Sequence, residues 1–373
     1  MFERARPEFE QIGLTADGFR ILPQLLISES YDDNIRAEPD DPEDDLITEV
    51  TAALAVGSDW NNHALGGLVY GRLNRFAQNS EEDTEEGGVE TYGRLDITRD
   101  NNLSGLAFYR RETEERTDPD EGGQDVPSEV DRIHGQLVNR HRVGRKQLVA
   151  DGQVQRIDFV TPGDNDRDRY EYRFAPRVFY EVTPSFRPFI QAILSQQDYD
   201  TLQGGVDRDS DGVGGFAGVD LDVSGVLTAE AFIGYFHTEF DDPSLQNVSG
   251  LGGGLALTWL ATDLTSVEVS LSRGQEQTTR ASASSRVRTT AELRVEHELL
   301  RNVLLESELL YIQDDFQGID RSDDIYGAMF GVSYLMNRYA SVTLSYEYLG
   351  RDSEVDSANF DKNVVLLSTR LQF

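Results

Sequence analysis

The stretch RYASVTLSYEYL, residues 338–349, sets Ala340, Val342, Leu344, Tyr346 and Tyr348 at alternate positions, with Ser341, Thr343, Ser345 and Glu347 between them. Successive side chains of a strand point to opposite faces, so this segment reads as a strand with one apolar and one polar face. Residues 169–181 repeat the pattern, with Tyr170, Tyr172, Phe174, Val178 and Tyr180 on one side and Glu171, Arg173, Ala175, Arg177 and Glu181 on the other. Eighteen such stretches follow one another, near residues 19–30, 45–57, 63–76, 87–98, 102–114, 129–141, 146–159, 169–181, 186–197, 212–223, 225–238, 250–261, 265–275, 285–297, 302–313, 324–336, 338–349 and 361–373. Globular strands average roughly 5–6 residues, whereas a tilted strand needs about 9–11 to cross a bilayer. These stretches have the second length.

The connections alternate between two kinds. Short ones include RVGR at 142–145, TPS at 183–185 and LMNR at 335–338. Between them fall long polar ones such as NIRAEPDDPEDD at 34–45, TEERTDPDEGGQDVPS at 113–128 and DYDTLQGGVDRDSDG at 198–212. Short turns on one rim and long loops on the other are the pattern of an outer-membrane barrel, with turns in the periplasm and loops outside the cell. An even strand number returns both termini to the short-turn side.

Composition fits this reading. With 34 Lys and Arg against 68 Asp and Glu the formal charge is −34, which argues against a nucleic-acid partner, because phosphates need a basic footprint. Hydrophobic residues make up only 38% of the 373, which suits a barrel that is apolar outside and polar inside. No run of 18 apolar residues exists, so no membrane-spanning helix is expected. There is no cysteine, hence no disulfide or thiolate metal site. The opening MFERARPEFEQIG lacks the apolar core of a secretory signal, so a signal peptide is expected to have been removed from this numbering.

The expected fold is therefore an all-β transmembrane antiparallel barrel of 18 strands, with residues 1–18 as a periplasmic N-terminal segment and 19–373 as the barrel. An unpaired backbone group in hydrocarbon costs several kcal/mol, so the sheet must close. Closure pairs GFRILPQLLISE with NVVLLSTRLQF. Pro23, unable to donate, belongs near the periplasmic end of the first strand. Barrels of 16–18 strands leave a lumen wide enough for water unless something fills it. The loop at 113–128 or that at 198–212 is the candidate to fold inward.

The segment PEFEQIGLTADGFRILPQLLISESYDDNI, residues 7–35, carries P-x-[FY]-x-x-x-G, then GF-x-[IL]-x-P, then D-D-N-I at the first external loop. In this it resembles the opening of the "putative β-barrel porin 2" family of bacterial outer-membrane proteins. The terminal Phe373, after Leu371, Thr369, Leu367 and Val365, resembles the C-terminal signal read by the barrel-assembly machinery. The resemblance implies a porin-like channel, in many cases associated with exopolysaccharide synthesis and export, with a lipid bilayer, lipopolysaccharide, the assembly machinery and polysaccharide as partners. It brings no catalytic residues.

By alternation Arg72, Arg94, Arg132, Arg140, Arg173, Arg177, Arg288, Arg294 and Arg370 face the lumen, as do Glu90, Glu171, Glu230, Glu292, Glu296 and Glu347. As pore-lining groups they orient a polar solute, and an arginine ladder favours acidic sugars or phosphate. The plainer alternative is that Arg and Glu pair across strands and stiffen the wall. Tyr92, Tyr109, Phe179, Phe189, Phe232 and Phe236 in the same register form a candidate sugar-stacking track. Trp60, Trp259, Tyr339, Tyr348 and Phe373 belong to the interfacial girdles. DRDSDG at 207–212 places Asp207, Asp209 and Asp211 at calcium-loop positions 1, 3 and 5, but Gly218 stands where the bidentate Glu is required. Only a weak external Ca2+ site is in prospect, and no cofactor. The five histidines are scattered and no catalytic motif is present, so no enzyme is expected. The expected activity is that of an outer-membrane channel for polar solutes. The alternative is a non-conducting structural or adhesion barrel that works through its acidic loops.

Overall fold

The computed structural model describes residues 6–121, 126–223, 225–280 and 283–373. Its strands are β1 (Leu14–Ala16), β2 (Phe19–Asp32), β3 (Asp45–Ser58), β4 (Ala64–Phe76), β5 (Thr84–Thr98), β6 (Asn101–Thr113), β7 (Glu129–Val143), β8 (Lys146–Phe159), β9 (Arg169–Tyr180), β10 (Phe186–Tyr199), β11 (Ser210–Val223), β12 (Leu227–Phe240), β13 (Val248–Thr262), β14 (Thr265–Glu276), β15 (Ser285–Leu300), β16 (Val303–Gln317), β17 (Ser322–Asn337), β18 (Ala340–Ser353) and β19 (Phe360–Gln372). Strands β2 to β19 are the eighteen expected. Each pairs antiparallel with its chain neighbours, and β19 closes onto β2 from Val364↔Asp32 to Gln372↔Gln24. Several strands run two to five residues further toward the long-loop rim than their apolar alternation does: β16 reaches Gln317, and β18 Ser353. Beyond the bilayer the ladder continues without any need for an apolar face.

The outward face is apolar and the covered interior polar, the reverse of a soluble protein. Ile190 and Ile233 are each 65% exposed, whereas Asp45, Asp314 and Asp323 are fully covered. Trp60, Trp259, Tyr339 and Phe373 lie exposed around the short-turn rim, and Tyr339 packs against Phe373 with ring centroids 6.1 Å apart. A second belt follows the long-loop rim. There the hydroxyls of Tyr109, Tyr311, Tyr346 and Tyr348 donate to Asp131, Asp324, Asn363 and Asp361. Such rings set an apolar body in the hydrocarbon edge and a hydroxyl in the polar layer.

The N-terminal segment joins the barrel. Asp17 and Gly18, with φ of 48° and 81°, make a tight turn that folds β1 back on β2, from Leu14↔Ile21 to Ala16↔Phe19. Both β1 and β19 run antiparallel along β2, and the Gly13 amide donates to the Phe373 carbonyl at 3.0 Å. Thus β1 continues the lane of β19 at the seam. Pro23 falls at this junction, just past the last β19 pair, so its missing N–H costs no ladder bond, and its carbonyl accepts from Gln11 Nε2 at 2.8 Å.

Candidate functional site: the divided lumen

The connection after β6 does not stay at the rim. From Glu114 to Glu121 it runs inward and is held by the opposite wall. In the sheet order β7 and β15 are eight strands apart of eighteen, nearly diametric. Arg351 of β18 donates to the Thr117 carbonyl, and Arg280, between β14 and β15, donates to that of Pro119. Asp120 accepts from Thr278 Oγ1 at 2.5 Å and the Thr279 amide at 3.1 Å, and lies 3.6 Å from Arg286. On the near side Arg116 binds Glu82 and Glu121, and Arg167 grips Glu114 with two guanidinium nitrogens. Burial lifts the Glu114 carboxyl above its ordinary value, against the pull of Arg167. Burial also lowers the guanidinium of Arg280, with neighbouring Arg321 adding to the effect.

The anchor is itself braced. Arg208, buried before β11, donates to the carbonyls of Thr278, Arg280 and Ala283. Of the two loops expected as candidates, that at 113–128 runs inward over its residues 114–121, and that at 198–212 supports its landing point through Arg208.

The crossing divides the lumen into lobes. Of the three lobes that the loop itself lines, the largest, about 710 Å³, lies between it and the wall from β7 to β15, and a cavity of about 1060 Å³ that the loop does not line runs along β4 to β11. A second lobe, about 340 Å³, faces β2 to β5 and β19, and a third, about 450 Å³, faces β15 to β18.

The sequence matches the family described as "Putative beta-barrel porin 2" over residues 6–373. The chain belongs to this porin family. No curated protein matches it. Among solved structures it is similar to Pseudomonas aeruginosa OccK2 (OpdF), at 10% identity and TM-score 0.52 over 95% of this chain and 98% of that one. It is also similar to OpdO of the same organism, at 12% identity and TM-score 0.50 over 96% and 98%. A third is P. aeruginosa OpdK with vanillate, at 9% and 0.50 over 95% and 99%. At such identities the likeness is one of fold. The protein is a bacterial outer-membrane β-barrel with a porin-like channel fold, a channel architecture rather than an enzyme's.

In this porin the lumen-facing residues expected from alternation divide into two groups. Arg132 pairs with Glu112 at 3.2 Å, Glu171 with Arg169 at 2.8 Å, Arg177 with Glu230 at 2.8 Å, Arg288 with Asp314 at 2.6 Å and Arg294 with Glu308 at 2.8 Å. Glu292 accepts a long bond, 3.5 Å, from Ser270. Arg140, Arg173 and Arg370 have no ion-pair partner among the described residues. Arg132, Glu171, Arg173 and Arg288 line the largest lobe, whereas Arg140 and Arg370 sit toward the short-turn rim. Periodicity alone had no means of finding Asp120, Arg280, Arg286 or Arg351 as a latch, since their partners are 158 to 234 residues away along the chain.

Two expectations are corrected. Tyr109 faces outward: it pairs in register with Val89, itself 52% exposed, and its hydroxyl meets Asp131 at the rim. The aromatic track is also mostly closed. Phe179, Phe189 and Phe236 are buried, and the Arg177 guanidinium covers Phe189 at 4.2 Å. Phe216 and Phe232, packed edge to face at 5.8 Å, remain half-exposed on the largest lobe. Gly234 makes room for them: a Cβ there would stand 2.1 Å from the Gly215 carbonyl oxygen and 2.5 Å from Phe216.

The acidic motif is rearranged as well. Asp211 lies on the outward face of β11, two residues from exposed Val213, while Asp207 and Asp209 converge with Asp241, with oxygens within 4.8 Å. Burial, then repulsion from Asp207, Asp198 and Asp241, raises the Asp209 carboxyl, although the Tyr199 amide donates to it at 2.6 Å.

Proposed function

We propose that this porin is a passive outer-membrane channel for small polar solutes, with the loop from Glu114 to Glu121 as its constriction and the long-loop rim facing outside. The supporting observation is the loop itself, which is tied to the far wall through Asp120, Thr117 and Pro119 and leaves lobes of about 710, 340 and 450 Å³ beside it. Lumen walls that carry paired Arg and Glu, such as Arg177 with Glu230 and Arg294 with Glu308, keep the pore polar. Export of a polysaccharide strand is the second reading. It rests on the family resemblance and on the half-exposed Phe216 and Phe232, which offer a face to sugar rings. It requires the loop to withdraw, because an extended polymer needs a continuous path.

Planar-bilayer recording tests both. Pure protein should conduct, and deleting residues 115–127 should raise the single-channel conductance. Absence of current from correctly folded barrels would refute the channel and leave the structural or adhesion barrel. Unchanged polysaccharide after gene deletion counts against export. As partners we propose lipopolysaccharide around the tyrosine-rich outer rim and the assembly machinery at Phe373.

A further inference from the structure

Most lumen-facing arginines of the largest lobe are neutralised by a carboxylate within about 3 Å, but Arg173 is not. In the hydrogen-bonded register it belongs to the row Gln136–Gln153–Arg173–Ser195–Gly212–Thr238, which contains no carboxylate. On its own strand, Glu171 is committed to Arg169 and Arg177 to Glu230. The guanidinium therefore faces the lobe with its donors unspent.

Around it stand amides, hydroxyls and one aromatic surface, and its two nearest carboxylates are engaged elsewhere, Glu171 by Arg169 and Asp151 by the side-chain amides of Gln136 and Gln153. Gln153, Ser195, Gln197 and Thr238 line the same lobe, together with the half-exposed Phe216 and Phe232. Gln197 Oε1 and His134 Nδ1 have no hydrogen-bond partner among the described residues, so turning either toward a ligand breaks no bond seen at those atoms. Gly212 and Gly214 leave the wall beside Arg173 without side-chain bulk. A planar fork for a carboxylate, several neutral donors and acceptors for hydroxyls, and a ring face for C–H groups together match one ligand class. The lobe's volume of about 710 Å³ lies within the range of about 300–1,000 Å³ usual for small-molecule sites.

We infer that the largest lobe is a binding subsite for a small sugar acid, whose carboxylate is taken by Arg173 and whose hydroxyls and ring face are taken by Gln153, Gln197 and Phe216. This rests on the channel reading and names its solute class. Binding of this kind is weak by design, since a permeating solute must leave as readily as it enters.

The test is single-channel recording with D-glucuronate, D-glucose and acetate, on the wild-type protein, Arg173→Gln and Arg173→Lys. Glucuronate should interrupt the ion current at concentrations where glucose and acetate leave it unchanged. Arg173→Gln should raise the half-blocking concentration about tenfold, the loss of one partly solvated charge-assisted contact, and Arg173→Lys should fall between. A conducting wild-type channel that ignores glucuronate, or that acetate blocks equally well, overturns the sugar-acid assignment while the channel reading stands. Equal block of wild type and Arg173→Gln overturns the role of Arg173. If no variant conducts, the channel reading fails, and calorimetric titration of glucuronate into purified wild-type and Arg173→Gln barrels still decides the subsite. If Arg173→Gln does not fold, Arg173→Lys and the wild-type ligand series decide it.

Discussion

Replacing Asp120 with alanine removes the side chain that fastens the inward loop to the far wall. Asp120 accepts from Thr278 Oγ1 at 2.5 Å and the Thr279 amide at 3.1 Å, faces Arg286 at 3.6 Å, and is 12% exposed. Hydrogen bonds to a charged group contribute about 1.5–3 kcal/mol each. For two such bonds beside lumen water we take the low end, about 3 kcal/mol together. That corresponds to a roughly 100-fold rise in the population of the released loop. Release is incomplete in any one event, because Arg351 still holds Thr117 and Arg280 still holds Pro119. The wall survives, since Arg286 keeps Glu276 at 3.4 Å. Single-channel traces of Asp120→Ala should therefore show visits to a higher conductance level about two orders of magnitude more often than wild type. The higher level reflects the merging of lobes of about 710, 340 and 450 Å³. Asp120→Asn, which keeps an acceptor oxygen, should lie between. A heat-modifiable, correctly folded Asp120→Ala barrel with wild-type traces would refute the latch.

Gly234→Ala should lower the temperature of heat-modified gel migration and slow insertion, because its Cβ meets the Gly215 carbonyl oxygen at 2.1 Å, and overpacking of this kind costs about 1–3 kcal/mol; wild-type behaviour would mean the β11–β12 face is not packed as described. Asp209→Asn should stabilise the outer loops once the pH has risen above the raised value of the wild-type carboxyl. A carboxyl whose folded pKa is raised binds its proton more tightly when folded, so its contribution is present at low pH and lost as pH rises through the raised value. The gain over wild type in unfolding temperature should shrink on acidification, and a gain independent of pH would contradict this. Deleting Phe373 should reduce insertion yield, since the last residue both packs on Tyr339 and accepts the Gly13 amide at the seam, yet leave the conductance of assembled channels unchanged. Altered conductance would place the residue in the pore instead.

Strand number, strand order, the closing pair and the facing of most residues were legible in the sequence. A period of two is a local property, and a lipid-facing wall must obey it along every strand. Arg173, Arg177 and Glu171 were placed inward on that basis, and Glu171 and Arg173 line the lobe of about 710 Å³. The same rule misplaced Tyr109, where rim polarity hides which face is which, and it missed β1, although the Asp17-Gly18 dipeptide before Phe19 is a recognised turn signal. What alternation had no means to give is pairing at long range. Whether Arg132 finds Glu112, whether Arg177 lies over Phe189 and whether Arg173 is left without a partner depend on rotamers and on register between strands. The meeting of Asp120 with Thr278 depends on a loop crossing a closed barrel, and no local pattern encodes a contact that exists only once both walls stand. The sequence by itself determined a closed, inverted barrel, because hydrocarbon solvent imposes its constraint residue by residue. Only the tertiary structure decided how the lumen is divided and which of its charges remain free, because those follow from the distances between walls.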